Sequence, residues 1–256
     1  MSIIKTPEEI KALFEGGQIL ARILNMVAAA VKPGVSTMDL DQLARAEMKK
    51  AGVEPAFEGY QMGGDGPKYP AVLCSSIDHE VVHGIPSHEK ILEEGQIIGL
   101  DLGIIHKGLY TDSALSVAVG KTSPENEKLL RVTKEALDAG IAQVKPGNKI
   151  GDVAHAVQSK AKEAGFAVIR DLIGHGVGHA LHEKPDVPNY GRPGTLEILK
   201  SGMVIAIEPM FTRGDWRITF LDDGWTVVTA DGSPSAHFEH TVAVTESGHK
   251  VLTLLD

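Results

Sequence analysis

The stretch Val31-Lys32-Pro33-Gly34 returns 113 residues later as Val144-Lys145-Pro146-Gly147, and this repetition decides the fold. At the same offset, and without a gap, Ala51-Gly52 matches Ala164-Gly165. In each half, the proline and glycine of the Val-Lys-Pro-Gly stretch end a helical pattern. The glycine of each Ala-Gly pair follows a second helical pattern and is a typical C-terminal cap. The chain is therefore predicted to contain two related halves.

The repetition continues into apolar segments that end or begin on a carboxylate. The paired segments are Gly95 to Asp101 with Gly202 to Glu208, and Asp112 to Val117 with Glu239 to Val244. Helices followed by strands, in two halves of roughly 1–120 and 121–256, predict an α+β fold about a pseudo-twofold axis. Two copies are too few for a solenoid, and no linker separates them. We predict a single domain spanning residues 1–256.

Four helices are marked by their start and stop signals. Thr6-Pro7-Glu8-Glu9 offers an N-cap, a proline at the first helical position and a capping-box glutamate. Apolar residues then recur at helical spacing up to Val31. The other three helices are predicted from about Thr37 to Ala51, from Ser123 to about Val144, and from about Asp152 to Ala164.

Asp101 follows the apolar run Ile97-Ile98-Gly99-Leu100, which is typical of a buried strand. A second strand to Val119 makes a hairpin. If His106-Lys107 forms a two-residue turn, Asp101 lies directly opposite Asp112, with about 4.5–5.5 Å between the Cβ atoms. A three-residue turn that includes Gly108 would shift this register by about one residue. Two carboxylates so close repel each other unless a proton or a cation is shared.

The second half repeats the arrangement with Glu208 and Glu239, and His175 adds an imidazole between glycines that permit close backbone approach. Four carboxylates balance two divalent ions. Oxygen ligands with one imidazole suit iron, manganese, cobalt or zinc. A single acidic residue at a strand end is usually only solvated, but the symmetric set argues for a metal site.

Other catalytic arrangements find less support. His175, His179 and His182 resemble a three-histidine zinc site, yet the glycine-rich run disfavours a helix and a His-Glu-x-x-His motif is missing. Cys74 lies in an apolar run and is predicted to be a buried small hydrophobe rather than a nucleophile. No serine nucleophile elbow, phosphate loop or full dinucleotide fingerprint is present.

Composition places the chain among ordinary globular proteins, with 43% hydrophobic and 23% charged residues. One cysteine excludes an internal disulfide framework and suits a reducing compartment. No secretory signal and no apolar run of about 20 residues is present, so neither export nor a membrane span is predicted. The formal charge of −9 argues against a general nucleic-acid surface.

Together these motifs resemble the signature set of the type I methionine aminopeptidases, over nearly the whole chain and in the same order. The matching segments are Glu80 to Pro86, Asp101-Leu102-Gly103, Tyr110-Thr111-Asp112, Gly174 to Gly178, His182 to Pro185, Ile207 to Met210 and Glu239-His240-Thr241. The sequence lacks the zinc-finger extension and the type II insert, and in this respect it resembles the short bacterial form of the family. This family has the pita-bread fold, whose internal twofold agrees with the repeat.

The resemblance implies a role for each motif residue. Asp101 would hold one metal ion, His175 and Glu208 the other, and Asp112 and Glu239 would bridge the pair. His83, His182 and Glu208 would be catalytic: His83 at the scissile amide, His182 at the oxyanion, and Glu208 in proton relay. The first two histidines would also contact substrate. Tyr60, Tyr69, Cys74, Leu181 and Trp225 match positions that line the pocket for the methionine side chain.

Three departures from the family pattern stand near the pocket. About six additional residues lie within Gln61–Lys68, Asp78-His79 replaces a more usual pair, and Leu181 stands where an aromatic residue is common. The implied activity is removal of an initiator methionine before a small residue, from nascent polypeptides at the ribosome, by a cytoplasmic monomer without specific nucleic-acid or membrane binding. Broader or proline-directed cleavage, a non-catalytic binding protein of the same fold and an unrelated phosphoesterase are the alternatives.

Overall fold

The computed structural model describes residues 3–61 and 66–255. Within these residues the chain forms four helices and fifteen strands. The helices are α1 (Pro7–Ala29), α2 (Thr37–Ala51), α3 (Pro124–Ile141) and α4 (Ile150–Ala164). The strands of the first half are β1 (Glu54–Pro55), β2 (Leu73–Ile77), β3 (Glu80–Val82), β4 (Ile97–His106) and β5 (Leu109–Ala118). Those of the second half are β6 (Ala167–Val168), β7 (Gly174–Gly176), β8 (Glu183–Val187), β9 (Val204–Ile207), β10 (Met210–Thr212), β11 (Ile218–Phe220), β12 (Val227–Thr229), β13 (Ser235–His237), β14 (His240–Val244) and β15 (His249–Val251).

The helix signals in the sequence act as predicted. The Thr6 hydroxyl accepts a hydrogen bond from the Glu9 amide at 3.2 Å, and the Glu9 carboxylate accepts one from the Thr6 amide at 2.7 Å. These two bonds satisfy backbone donors that a helix N-terminus otherwise leaves unpaired. The fourth helix begins two residues earlier than predicted, because Asp152 is not its first residue but accepts from the Lys149 amide at 2.7 Å.

The two halves share features of local structure. Helices α2 and α4 begin and end at the 113-residue offset, and each ends on a left-handed glycine, Gly52 or Gly165. The two proline-glycine stops also behave alike: Gly34 donates to the Leu92 carbonyl at 2.8 Å, and Gly147 donates to the Leu199 carbonyl at 3.0 Å. The sequence repeat therefore encodes a structural repeat.

The helices of each half pack mainly against the sheet of the same half, and Leu13 of α1 also packs against Val204 and Ala243 of the second half. In the first, apolar residues of α1 and α2 pack with β2 and β4; in the second, α3 and α4 pack with β9 and β14. The sheets have the orders β1-β4-β2, with β5 also on β4, and β15-β14-β9-β7-β8. Two three-stranded sheets, β13-β10-β6 and β11-β12-β3, complete the antiparallel pairings. The predicted α+β architecture is confirmed.

Candidate metal centre and substrate cavity

The β4–β5 hairpin carries two aspartates on one face, but their predicted direct pairing is wrong. Asp101 lies opposite Ala114, and Asp112 lies opposite Gly103. The turn is Lys107-Gly108 rather than His106-Lys107, with φ values of 53° and 76°. Two positive φ angles are what a tight hairpin turn demands, and glycine at the second position meets that demand. The aspartates are therefore diagonal neighbours, a separation that a shared ion can still span.

The second half brings two glutamates to the same place. Glu208 directly follows β9, and Glu239 directly precedes β14. The Glu239 amide donates to the Ala114 carbonyl at 2.8 Å, and the Ala114 amide donates back at 3.3 Å. This exchange joins β5 of one half to the start of β14 of the other. The metal-ligand candidates of both halves consequently face each other across the pseudo-twofold axis.

His175 lies in β7, where the neighbouring glycines are a packing requirement. A Cβ atom at Gly174 would stand 2.4 Å from the Ala206 carbonyl oxygen, and one at Gly176 would stand 2.3 Å from that of Lys184. Nδ1 of His175 is 3.0 Å from the Gly176 carbonyl oxygen, which places a proton on Nδ1. Nε2 is then free as an electron-pair donor, 3.6 Å from the Glu208 carboxylate. That is the tautomer in which histidine binds metal.

Several carboxylate oxygens of this cluster have no hydrogen-bond partner among the described residues. They are Oδ1 of Asp101, Oδ1 of Asp112 and Oε1 of Glu239, all buried. Buried anionic oxygens are paired or coordinate metal in folded proteins. Ligand atoms of Asp112, His175 and Glu239 lie within 4.8 Å of one another. The donor set therefore fits divalent cations.

The charges of the cluster are unfavourable without such cations. Burial raises the pKa of Asp101 to about 7. Burial, followed by the neighbouring Glu239 and Asp101 carboxylates, raises the pKa of Asp112 well above its ordinary value. The pKa values of Glu208 and Glu239 are raised for the same two reasons. Burial lowers the pKa of His175 to about 3, which keeps its imidazole neutral and available as a ligand.

The two histidines predicted to contact substrate flank this cluster. His83 has a φ of 59°, an uncommon conformation for a residue other than glycine, and burial lowers its pKa to about 4. Its Nδ1 has no partner among the described residues. The ring of His182 lies 4.4 Å from that of His175, measured between centroids. Both imidazoles thus adjoin the cluster with nitrogen atoms available for substrate.

One cavity joins the carboxylate cluster to an apolar slot. The rings of Tyr69 and Trp225 meet edge to face at 5.2 Å, and both side chains are buried beside Leu181 and Cys74. Burial raises the pKa of the Cys74 thiol well above its ordinary value, so a thiolate nucleophile is not supported. The cavity lining includes all twelve residues predicted for the site: Tyr60, Tyr69, Cys74, His83, Asp101, Asp112, His175, Leu181, His182, Glu208, Trp225 and Glu239.

Two nearby residues were not predicted from the sequence. Phe57 lines the cavity, and its ring would lie 2.7 Å from a Cβ atom at Gly103, so that glycine makes room for it. His237 is buried, with Nε2 3.7 Å from the Glu208 carboxylate. Its position two residues before Glu239 was the available signal, because alternate residues of an extended segment share a face.

Described residues at the ends of the additional segment contact residues of the slot. Residues 62–65 of Gln61–Lys68 lie outside the described residues. Tyr60 and Tyr69 bracket the segment, and the Tyr69 amide donates to the Tyr60 carbonyl at 2.8 Å. The indole nitrogen of Trp225 donates to the Pro67 carbonyl at 3.0 Å. Pro67 therefore supports one wall of the apolar slot.

Comparison with known proteins agrees with this fold and site. The profile of metallopeptidase family M24 matches residues 11–246. A methionine aminopeptidase of Clostridium acetobutylicum is 45% identical over 256 residues, which is 100% of both chains. One of Aquifex aeolicus is 48% identical over 251 residues, 96% of each chain. The crystal structure of methionine aminopeptidase from Thermotoga maritima superimposes with a TM-score of 0.94, at 46% identity over 98% of both chains.

The chain therefore belongs to metallopeptidase family M24 and has its pita-bread fold. Membership in this family makes it a metal-dependent hydrolase that uses divalent metal ions. Each of the relatives described above carries the name methionine aminopeptidase. In the described part of the chain, the helices are all too short or too polar to cross a membrane.

Proposed function

We propose that this protein is a methionyl aminopeptidase that removes the N-terminal, initiator methionine when the next residue is small. The observation that carries the proposal is the single cavity, in which a buried carboxylate and imidazole cluster adjoins an apolar slot of tyrosine, tryptophan, cysteine and leucine. The cluster supplies hydrolytic chemistry, and the slot suits an unbranched apolar side chain. The names of the full-length relatives support the same activity.

We assign two divalent ions to the five ligand candidates. Asp101 would hold one ion, His175 and Glu208 the other, and Asp112 and Glu239 would bridge them. Ligand atoms of Asp112 and Glu239, one residue from each half, lie within 4.8 Å of each other, which supports the bridging assignment. Iron, manganese, cobalt and zinc all suit this mixture of oxygen and nitrogen ligands.

Divalent ions bound there would act as Lewis acids, activating water and polarising the scissile carbonyl. The remaining steps fall to side chains. Glu208, at the edge of the cluster, would relay the proton from water to the leaving amine. His182 would donate to the developing oxyanion, and His83 would hydrogen-bond the scissile amide. The free amine of the N-terminal residue would bind near Asp101, which would restrict cleavage to chain ends.

Specificity would come from the walls of the slot. Tyr69, Cys74, Leu181 and Trp225 are each no more than 5% exposed. Their enclosed surface would accept methionine and exclude β-branched or charged side chains. An apolar pocket distinguishes substrates by only about 1–3 kcal/mol per methylene, so slow cleavage after norleucine or leucine is expected. The following residue should be selected more strongly, because the family resemblance implies site walls that would exclude large side chains there.

Three peptides assayed side by side test this function. Met-Ala-Ser should be cleaved fastest, Leu-Ala-Ser slowly, and Met-Lys-Ser hardly at all. Equal rates for Leu-Ala-Ser and Met-Ala-Ser would show a broader aminopeptidase on the same metal site. Preferential cleavage of proline-containing peptides, or of a phosphate ester, would replace the proposed activity altogether.

We further propose that residues 1–256 act as one catalytic domain, as a monomer in the cytoplasm, on nascent polypeptides at the ribosome. The net charge of −9 gives no general affinity for RNA, so any ribosome contact would be local. Co-sedimentation with translating ribosomes at increasing salt concentration tests this, with empty ribosomes as the control. Size-exclusion chromatography with light scattering measures the oligomeric state.

A further inference from the structure

The side chain of Tyr60 makes a contact that lining an apolar slot does not require. Its hydroxyl oxygen lies 2.6 Å from Nδ1 of His182, and the two rings meet edge to face at 5.2 Å. We propose that Tyr60 is a positioning residue: its hydroxyl donates to Nδ1 and thereby keeps the proton of the neutral His182 imidazole on Nε2. This inference rests on the proposed function for its catalytic consequence, but not for the hydrogen bond itself.

The backbone holds the tyrosine in place. The Tyr60 amide donates to the Phe57 carbonyl at 2.9 Å, and the Tyr60 carbonyl accepts from the Tyr69 amide at 2.8 Å. The second of these hydrogen bonds joins the two residues that flank the additional segment. Tyr60 therefore reaches His182 from a supported position on the first half of the chain.

The loop that carries His182 is fixed independently. The Glu183 carboxylate accepts from the Ala180 amide at 2.8 Å through one oxygen and pairs with Lys5 at 2.7 Å through the other. The Lys5 side chain is only 1% exposed, so this ion pair is buried. The contact lies at the exposed rim of the cavity, but because the backbones of both partners are anchored, the 2.6 Å separation is a defined geometry.

The direction of the hydrogen bond follows from the chemistry of the two groups. A phenol O–H group is a more acidic donor than an imidazole N–H group, and the unprotonated nitrogen of a neutral imidazole is a stronger acceptor than a phenol oxygen, so the hydroxyl is the favoured donor. Burial raises the pKa of Tyr60, so the phenol keeps its proton. When the hydroxyl donates, Nδ1 is the acceptor, and the imidazole proton must be on Nε2.

That tautomer matters for a hydrolase. With Nδ1 engaged by Tyr60, Nε2 is the nitrogen of His182 that remains for substrate. An Nε2–H group donates to a carbonyl oxygen as negative charge develops there, whereas the opposite tautomer would present a lone pair to the same oxygen. A neutral imidazole held as a donor is an established way to polarise a carbonyl group. Tyr60 would thus act on the reaction through His182.

The test measures the tautomer directly. Metal-free protein labelled with ¹⁵N-histidine is examined by long-range ¹H–¹⁵N correlation above the histidine titration range, with His182→Asn to assign the His182 signals. Wild-type protein should show the Nε2–H form. Tyr60→Phe removes only the hydroxyl and should give mixed tautomers. With metal added, kcat for Met-Ala-Ser should fall about tenfold, with KM changed by less than about twofold.

Tyr69→Phe is the matched control. Its hydroxyl lies 3.1 Å from the Leu73 carbonyl oxygen and 3.0 Å from that of Gly84, with no histidine as partner. This variant should change KM and leave the His182 tautomer as in wild type. An Nδ1–H form in wild type, or an unchanged tautomer and kcat in Tyr60→Phe, would overturn the proposal. If wild type shows the Tyr60-dependent tautomer but does not cleave Met-Ala-Ser, the proposed function fails and the hydrogen-bond assignment stands.

Discussion

The central strands of the two halves, β4 and β9, present their carboxylates in different ways. Strand β4 has ten residues and continues past Asp101 to His106. Strand β9 has four residues and ends before Glu208. Pro209 follows Glu208, and because proline lacks an N–H donor it cannot continue a central ladder. The chain then enters a separate sheet with β10.

The difference shows how one folding unit supplies unlike ligands. An aspartate within a continuous strand has a short side chain on a rigid backbone. A glutamate at a strand end compensates for a backbone that has turned away, because its side chain is longer by one methylene. His175, which has only a faint sequence counterpart in His83-Gly84-Ile85, makes the second half the more nitrogen-rich side of the site. The two halves thus share a backbone arrangement but supply different types of metal ligand.

The largest expected effect is loss of activity and metal binding on substitution of Asp112 or Glu239, the two residues that are assigned to bridge the ions, one from each half. Asp112→Asn and Glu239→Gln should each abolish hydrolysis and lower metal affinity by more than about 100-fold, because both ions lose an anionic ligand. Metal content by mass spectrometry and hydrolysis of Met-Ala-Ser measure the two effects. If either variant keeps two metals and near wild-type activity, the halves do not share the ions as proposed.

His182→Ala provides the contrast for that experiment. This residue is assigned to the transition state rather than to a metal, so the variant should keep its metals and lose turnover. Loss of metal here would mean that a ligand has been taken for a substrate contact.

The next effect is the pH dependence of stability without metal. The pKa of Asp101 is raised from 3.8 to about 7, so the folded state favours the protonated carboxyl. This contribution is present at low pH and is lost as pH rises through about 7. It amounts to about 4 kcal/mol at most. Metal binding needs the ionised carboxylates, so the Tm difference between metal-loaded and chelator-treated protein should widen from about pH 5 to about pH 8.

His175 works in the opposite direction. Its pKa is lowered from 6.5 to about 3, so its contribution to stability grows as pH rises across that range. Asp101→Asn separates the two, because the metal-free variant should lose the part of the decline that Asp101 causes and keep both the histidine effect and the remaining decline from Asp112, Glu208 and Glu239. A metal-free variant with the same Tm profile as wild type would show that Asp101 is not the group responsible.

The contrast between the strand and strand-end ligands predicts a smaller change. Glu208→Asp should weaken one metal site by about 10- to 100-fold, because the shortened side chain no longer reaches it. Asp101→Glu should weaken the other by crowding, since its cross-strand neighbours Cys74 and Ala114 are buried on the same face of the sheet. Isothermal titration with Mn²⁺ resolves the two sites. Two unperturbed sites in Glu208→Asp would contradict the argument from side-chain length.

Much of this architecture could be predicted because the signals are local. The Thr6 cap, the glycine stops and the apolar runs each act through neighbouring backbone groups, and the 113-residue repeat extends them to both halves. The carboxylates of the site could also be predicted from the sequence, because a buried carboxylate after an apolar strand needs a partner. The structure brings the predicted residues into one cavity.

The rest depended on geometry that the sequence does not display. The hairpin register turned on whether Lys107 or His106 begins the turn, and a shift of one position on each strand moved Asp101 from Asp112 to Ala114. Phe57 comes to the cavity only because Gly103, far along the chain, leaves room for its ring. The hydrogen bond between Tyr60 and His182 joins residues 122 positions apart. The last of these contacts exists only after the halves have docked.

The smallest effect tests whether the halves are energetically equivalent where they look alike. Gly52 and Gly165 end α2 and α4 with φ values of 69° and 79°, and a Cβ atom at either would meet nothing within 4 Å. Alanine would therefore cost only the strain of the left-handed conformation, about 1 kcal/mol. Gly52→Ala and Gly165→Ala should lower the free energy of unfolding in urea by equal amounts. Gly248→Ala is the control, because Gly248 also has open space but no positive φ, and it should be nearly neutral. If one cap variant proved markedly more costly than the other, the two halves would differ in how firmly their helices are held, despite the same capping geometry.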